Sequence, residues 1–236
     1  MLFLTIFLLA IVAGYPIWDY FYMKKIKSGL VSKWRMYSQI MITQWVSVFI
    51  LLGYWLLTGL SVRELFIYEN PLMSFVSQDL LDMAMGAGAS LLIVILAVAF
   101  SKKMRKKISD ALTDESIQFL LPSSIAERLF FLMIAITAGV CEEIIFRGAM
   151  VFYLGHLPFE LSVFAIGVIS SVLFGLVHLY QGWKGVLITG YLGGVLFFFF
   201  AGTGYLWVPI LFHTIIDAKF VFLPNKKIIV DNNNIM

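Results

Sequence analysis

Residues Arg128–Leu154 read RLFFLMIAITAGVCEEIIFRGAMVFYL. A bilayer-spanning helix needs about 20 predominantly apolar residues at about 1.5 Å rise each, and this stretch is long enough. It also carries Glu142, Glu143 and Arg147 near its middle. Charge in a bilayer core costs several kcal/mol, so such groups face a bundle interior or a wet cavity. The stretch therefore implies a helix packed among other helices. Glu143 and Arg147 are one turn apart and can pair along one face. Glu142 is rotated from Glu143 by about 100° and has no such neighbour. One carboxylate is thus neutralised and structural, while the other is free to act as a base. The competing reading is a helix end at the interface, with its charges reaching water.

The rest of the chain fits that frame. Of 236 residues, 61% are hydrophobic and 13% charged, against about 45–50% and about 25% in soluble domains. Twenty-two Phe, eleven Met and six Trp exclude a disordered chain. The net charge is only +3, and the 17 basic residues form short clusters between apolar runs. That placement points to membrane orientation and away from nucleic acid. The single cysteine, Cys141, excludes an internal disulfide and a Cys-rich zinc site. Between apolar Val140 and an acidic pair, it reads as a structural residue and not a nucleophile.

The expected fold is all-α, a polytopic transmembrane bundle of about seven helices, or eight. The spans are expected at Leu2–Tyr22, Ser38–Leu60, Met83–Phe100, Arg128–Leu154, Phe159–Leu179, Val186–Ala201 and Leu206–Phe222. Ile117–Leu121 is apolar but too short to cross and reads as interfacial helix or loop. No linker splits the chain, so residues 1–236 form one integral-membrane domain. The first span is read as a retained helix, because its positive cluster follows the apolar run and does not precede it. Lys24, Lys25, Lys27, Lys33 and Arg35 lie between spans one and two. Lys102, Lys103, Arg105, Lys106 and Lys107 lie between spans three and four. By the positive-inside rule the N-terminus is outside and the C-terminus cytoplasmic, and the short loops and Lys/Asn/Ile-rich tail give the look of a plasma-membrane protein.

Two further polar constellations interrupt the apolar runs. The fifth span ends Phe174-Gly175-Leu176-Val177-His178. Gly167, Ser171 and Gly175 recur every four residues as a small face for close helix packing, with His178 beside it. The last span holds His213 and Asp217 one turn apart. A carboxylate that accepts an imidazole N–H fixes its tautomer, as in catalytic and metal-binding histidines. His156 falls in a turn and reads as incidental. The blander readings are an interfacial histidine at 178 and a self-neutralising pair at 213 and 217. Together, Glu142, Glu143, Arg147, His178, His213 and Asp217 suit hydrolysis by activated water, with or without a metal. His-Glu-x-x-His and Gly-x-Ser-x-Gly are both absent from the sequence.

At these residues the sequence resembles the CPBP family, the CAAX-protease and bacteriocin-processing membrane proteins also called the Abi family. Glu142, Glu143 and Arg147 match Glu-Glu-x-x-x-Arg, Phe174 and His178 match Phe-x-x-x-His, and His213 with Asp217 matches His followed four residues later by Asn or Asp. The resemblance covers about 126–224, and the first hundred residues carry no family signature. It implies an intramembrane endopeptidase that cuts a peptide or membrane-protein substrate near the cytoplasmic membrane face. Glu142 would be the general base, helped by His178. His213 and Asp217 would stabilise the oxyanion or hold a metal, and Glu143–Arg147 would support the site. Asp217 stands where the eukaryotic CAAX branch has Asn, and suits a histidine orienter or metal ligand better than a donor. His178, His213, Asp217 and Glu142 form a nitrogen and oxygen set suited to zinc or a related divalent ion, so a chelator is expected to inhibit. The competing functions are a non-proteolytic immunity factor or partner of a membrane sensor or bacteriocin, and a transporter with a proton relay. One consequence is awkward. Counted from Arg128, Glu142 lies about 21 Å along its helix, whereas His178 lies near the far end of the next. A broken or tilted helix, or a deep cavity, would have to bring them together.

Overall fold

The computed structural model describes residues 1–27, 31–68, 93, 97, 100–104, 106 and 120–223. These residues are helical and contain no strand, apart from an isolated antiparallel bridge between Ile67 and Tyr205. Four helices are long and apolar enough to cross a membrane: Leu2–Ile26 (α1), Lys33–Thr58 (α2), Ile125–Gly155 (α3) and Leu179–Thr203. The last opens with a 3-10 turn, and its α-helical part is Gly182–Thr203 (α5). Val163–Leu176 (α4) and Trp207–Ala218 (α6) are shorter. The protein is an integral membrane protein. The expected Met83–Phe100 span, the Ile117–Leu121 segment and the tail beyond Leu223 lie largely or wholly outside the described residues.

Several helices begin or end away from the hydropathy boundaries because local capping sets them. Ser32, Ser124 and Ser162 accept hydrogen bonds from the backbone N–H of Arg35, Glu127 and Ala165, each satisfying one orphan donor. This draws Lys33 and Arg35 into α2 and Glu127 into α3. Gly59 and Gly204 close α2 and α5 in the left-handed conformation, where a Cβ would be strained.

The largest departure from the expected spans is α4. Its 14 residues rise about 21 Å, short of a hydrocarbon core of about 30 Å. It therefore turns back inside the bundle. Glu142 lies 13 positions before Gly155, about 20 Å from the turn that joins α3 to α4. His178 lies 15 positions after Val163, about 22 Å from the same turn. The two residues sit at matching depth because α4 is a partial crossing. α3 also changes character there. Directly after Glu143 it widens into a π-helical stretch, Ile144–Met150, before returning to α-helix. Such insertions re-aim side chains and recur at functional sites.

α3, α4, α5 and α6 form the centre, with α2 packed on α3. The small face expected on α4 packs closely on the backbone of α5. A methyl group at Gly175 would come within 2.7 Å of the Val186 carbonyl oxygen and 3.0 Å of Gly190 Cα on α5.

Candidate active site

Three helices bring the expected residues together. Glu142 and Glu143 come from α3 immediately before the π stretch, with Arg147 inside it. His178 follows α4, and His213 and Asp217 lie on α6. The structure gathers all six into two linked layers.

The inner layer is dry. Glu143 and Arg147 are completely buried. Arg147 Nη1 donates to Glu143 Oε1 at 3.0 Å, and Nη2 donates to the Gly193 carbonyl of α5 at 2.9 Å. The guanidinium lies 4.4 Å above the centre of the Phe174 ring, a cation–π contact strengthened by desolvation. Phe174, the aromatic of the second motif, thus carries the arginine of the first. The expected Glu143–Arg147 pair is present, and it has a third member. His213 Nδ1 lies 2.7 Å from Glu143 Oε1, closer than His213 Nε2 to Asp217 Oδ2 at 3.5 Å. Because a carboxylate bonded to arginine is an acceptor, His213 donates through Nδ1 and turns Nε2 outward. Glu143 is therefore the main orienter of His213. Spacing within α6 favoured Asp217 for that role, because a partner on another helix has no sequence periodicity.

The outer layer borders a cavity. His178 Nδ1 bonds the Phe174 carbonyl at 2.8 Å. A carbonyl only accepts, so Nδ1 carries the proton and Nε2 presents its lone pair. That Nε2 faces Glu142 Oε2 at 3.8 Å, and His213 Nε2 faces the same oxygen at 3.9 Å. The other oxygen, Glu142 Oε1, accepts from Gln44 Nε2 of α2 at 2.8 Å. Glu142 Oε2 has no hydrogen-bond partner among the described residues. A cavity of about 270 Å³ adjoins this point. Its walls include Tyr15 and Asp19 of α1, Gln44, Glu142, His178 and Asp217.

Gln44 and Asp19 escaped the sequence reading. Each is a polar residue inside an apolar run, and that interruption was the available signal. His156 is remote, bonded through Nδ1 to the Phe152 carbonyl, and Cys141 is buried among apolar groups, as expected of both.

Nitrogen and oxygen donors of this kind suit zinc, which binds at about 2.0–2.2 Å. Among the described residues, however, no group of three or more His, Cys, Asp or Glu side chains is gathered so as to hold an ion. Separations of 3.8 and 3.9 Å instead fit a water at about 2.8 Å from each atom. The residues as arranged suit water better than a resident metal.

Residues 124–218 match the family described as type II CAAX prenyl endopeptidase Rce1-like. That match covers less than half of the chain. The matched segment contains every one of the six residues above and neither Gln44 nor Asp19. The chain is also 34% identical over 109 residues to "Putative membrane peptidase YdiL" of Bacillus subtilis (strain 168). That alignment covers 46% of this chain and 43% of the relative, less than half of either. No solved structure matches the chain. The matched segment thus begins at the cap of α3 and ends with α6, while α1 and α2 add walls that the family match does not reach.

Proposed function

We propose that this protein is a CPBP-family intramembrane endopeptidase in which Glu142 activates a water held between its own carboxylate and His178. The observation that carries the reading is the unpartnered Glu142 Oε2 facing the lone pair of His178 Nε2. Two acceptors at 3.8 Å need a donor between them, and water supplies two hydrogens. So held, the water points an oxygen lone pair at a substrate carbonyl. Attack forms the new C–O bond while one water proton passes to Glu142. A second proton on His213, at Nε2, stabilises the developing oxyanion. Collapse breaks the C–N bond, and the proton on Glu142 leaves with the amine. The products are one carboxylic acid, which keeps the second water proton until it ionises, and one amine. Gln44 keeps the Glu142 carboxylate turned, and the buried Arg147–Glu143 pair keeps His213 turned.

The substrate is a peptide or membrane-protein segment that reaches the site along the cavity. Met23, Ile26, Met36, Tyr37 and Leu121 line the stretch of that cavity next to Lys24, Lys25, Lys33 and Arg35. The positive-inside rule makes that end cytoplasmic, with the N-terminus outside.

The test is mass spectrometry of candidate peptides incubated with membranes that carry wild type or Glu142→Gln. Wild type is expected to cut and Glu142→Gln to lose about 100- to 10,000-fold of the rate. Near-normal turnover by folded Glu142→Gln removes Glu142 from the reaction, and peptide binding without any cut marks a non-proteolytic partner. The same orphaned oxygen supports a second reading, a divalent ion held with His178, His213 and Asp217 after a small closure. The observed spacing predicts that chelation leaves activity intact. Loss on chelation, restored by zinc together with about one metal per chain by elemental analysis, would assign the ion instead.

A further inference from the structure

Asp19 sits on α1, inside a span long and apolar enough to cross the membrane, and lines the cavity of the candidate site. It makes no hydrogen bond and no ion pair among the described residues. The cavity's other two carboxylates are each answered. Glu142 faces the His178 and His213 imidazoles, and Asp217 faces His213. The one lysine that the described residues place on the cavity wall, Lys219, leans over the Phe220 ring with its ammonium 4.6 Å from the ring centre and follows Asp217 on the same helix end. Among the described residues, Asp19 alone of these three carboxylates has no ion-pair partner. The stretch that bears it, Tyr15–Lys27, packs against the Leu179–Gln181 turn directly after His178. Asp19 is therefore near the reacting atoms without belonging to them.

A carboxylate inside the membrane is costly unless something pairs with it. Here the chain supplies no partner among the described residues, and the cavity it faces is where a peptide must lie. Resting on the proteolytic reading above, we propose that Asp19 is a specificity residue that pairs with a basic side chain of the substrate, lysine or arginine, a few residues from the scissile bond. The otherwise apolar cavity would hold the flanking residues, and the charge pair would set their register. A charge-assisted hydrogen bond in a partly desolvated wall is strong enough to discriminate. α1 lies outside the segment that matches the Rce1-like family, so the preference is not part of what that match implies.

The experiment uses the full-length purified chain and a set of fluorogenic apolar peptides. Each carries one lysine at successive positions around the cut, or norleucine, which matches its stem without the charge. At one position lysine is expected to raise kcat/KM about tenfold over norleucine. Asp19→Asn should erase that preference while turnover of the norleucine peptide stays within about twofold. Asp19→Lys should favour a glutamate peptide instead. Binding of the same peptides to Glu142→Gln, followed by fluorescence anisotropy, reads the preference without turnover. A lysine preference in binding that disappears on adding Asp19→Asn supports the assignment even where no peptide is cut, the outcome that defeats the proteolytic reading by itself. Equal affinity for lysine and norleucine at every position, or a preference that survives Asp19→Asn, overturns it.

Discussion

α1 and α2 are about as apolar as α3 and α5, yet they are used differently. In their most apolar windows only 11% and 17% of residues are buried, against 56% in α3 and 50% in the span that contains α5. Leu57 of α2 is 90% exposed, as a lipid-facing side chain should be. What separates the two regions is the occurrence of small and charged residues on interior faces. In lipid there is no hydrophobic force to drive one apolar helix against another, so close packing and buried polar bonds decide which helices associate. α3–α6 have Gly139, Gly175 and Gly193 at crossings and an arginine bonded across from α3 to α5. α1 and α2 add one side of the cavity, apolar apart from a few polar residues such as Asp19 and Gln44. The comparison teaches that hydropathy locates membrane helices, while small residues and polar interruptions rank them.

The sharpest way to break that distinction is Arg147→Ala. It leaves Glu143 and His213 without their buried cation, and removing one member of such a pair costs about 3–5 kcal/mol. Folded yield and thermal stability in detergent should both fall. Glu143→Gln with Arg147→Met should recover yield without recovering activity. Unchanged stability in Arg147→Ala would mean that the central region is not held together by its buried charge.

Gln44→Leu tests whether α2 does more than shield. A hydrogen bond to a charged group is worth about 1.5–3 kcal/mol, so kcat should drop roughly 10- to 100-fold while KM and stability hardly move. A silent substitution would reduce α2 to a wall. Gly175→Ala pushes a methyl against the backbone of α5 and should cost about 1–3 kcal/mol by overpacking, read as a lower melting temperature. The smallest effect is expected from Leu57→Ala on the lipid-facing side of α2, within about 0.5 kcal/mol. A larger loss there would show that the face is covered in the native membrane.

Much of the candidate site was legible because its internal contacts are local. Glu143 with Arg147 and Phe174 with His178 lie one helical turn apart, so periodicity alone puts each pair on one face. The depth conflict between Glu142 and His178 was legible as well, but not its resolution. That depended on α4 ending after 14 residues, and apolarity continues past that point through Val177 and Leu179. A hydropathy reading therefore runs the helix on, whereas the structure breaks it with His178 and the 3-10 turn that follows.

The sequence by itself determined that the chain is built of membrane helices, that its buried charges need partners, and which six polar residues the bundle would gather. Each of these follows from the cost of polar groups in hydrocarbon and from the 3.6-residue period, both of which act locally along the chain. Only the tertiary structure decided that Glu143 and not Asp217 chiefly orients His213, that Gln44 turns Glu142, and that Asp19 faces the cavity without a partner among the described residues. Those relations join residues 70 and 98 positions apart, on helices whose packing is set by steric fit and polar bonding that no periodicity within a single helix encodes.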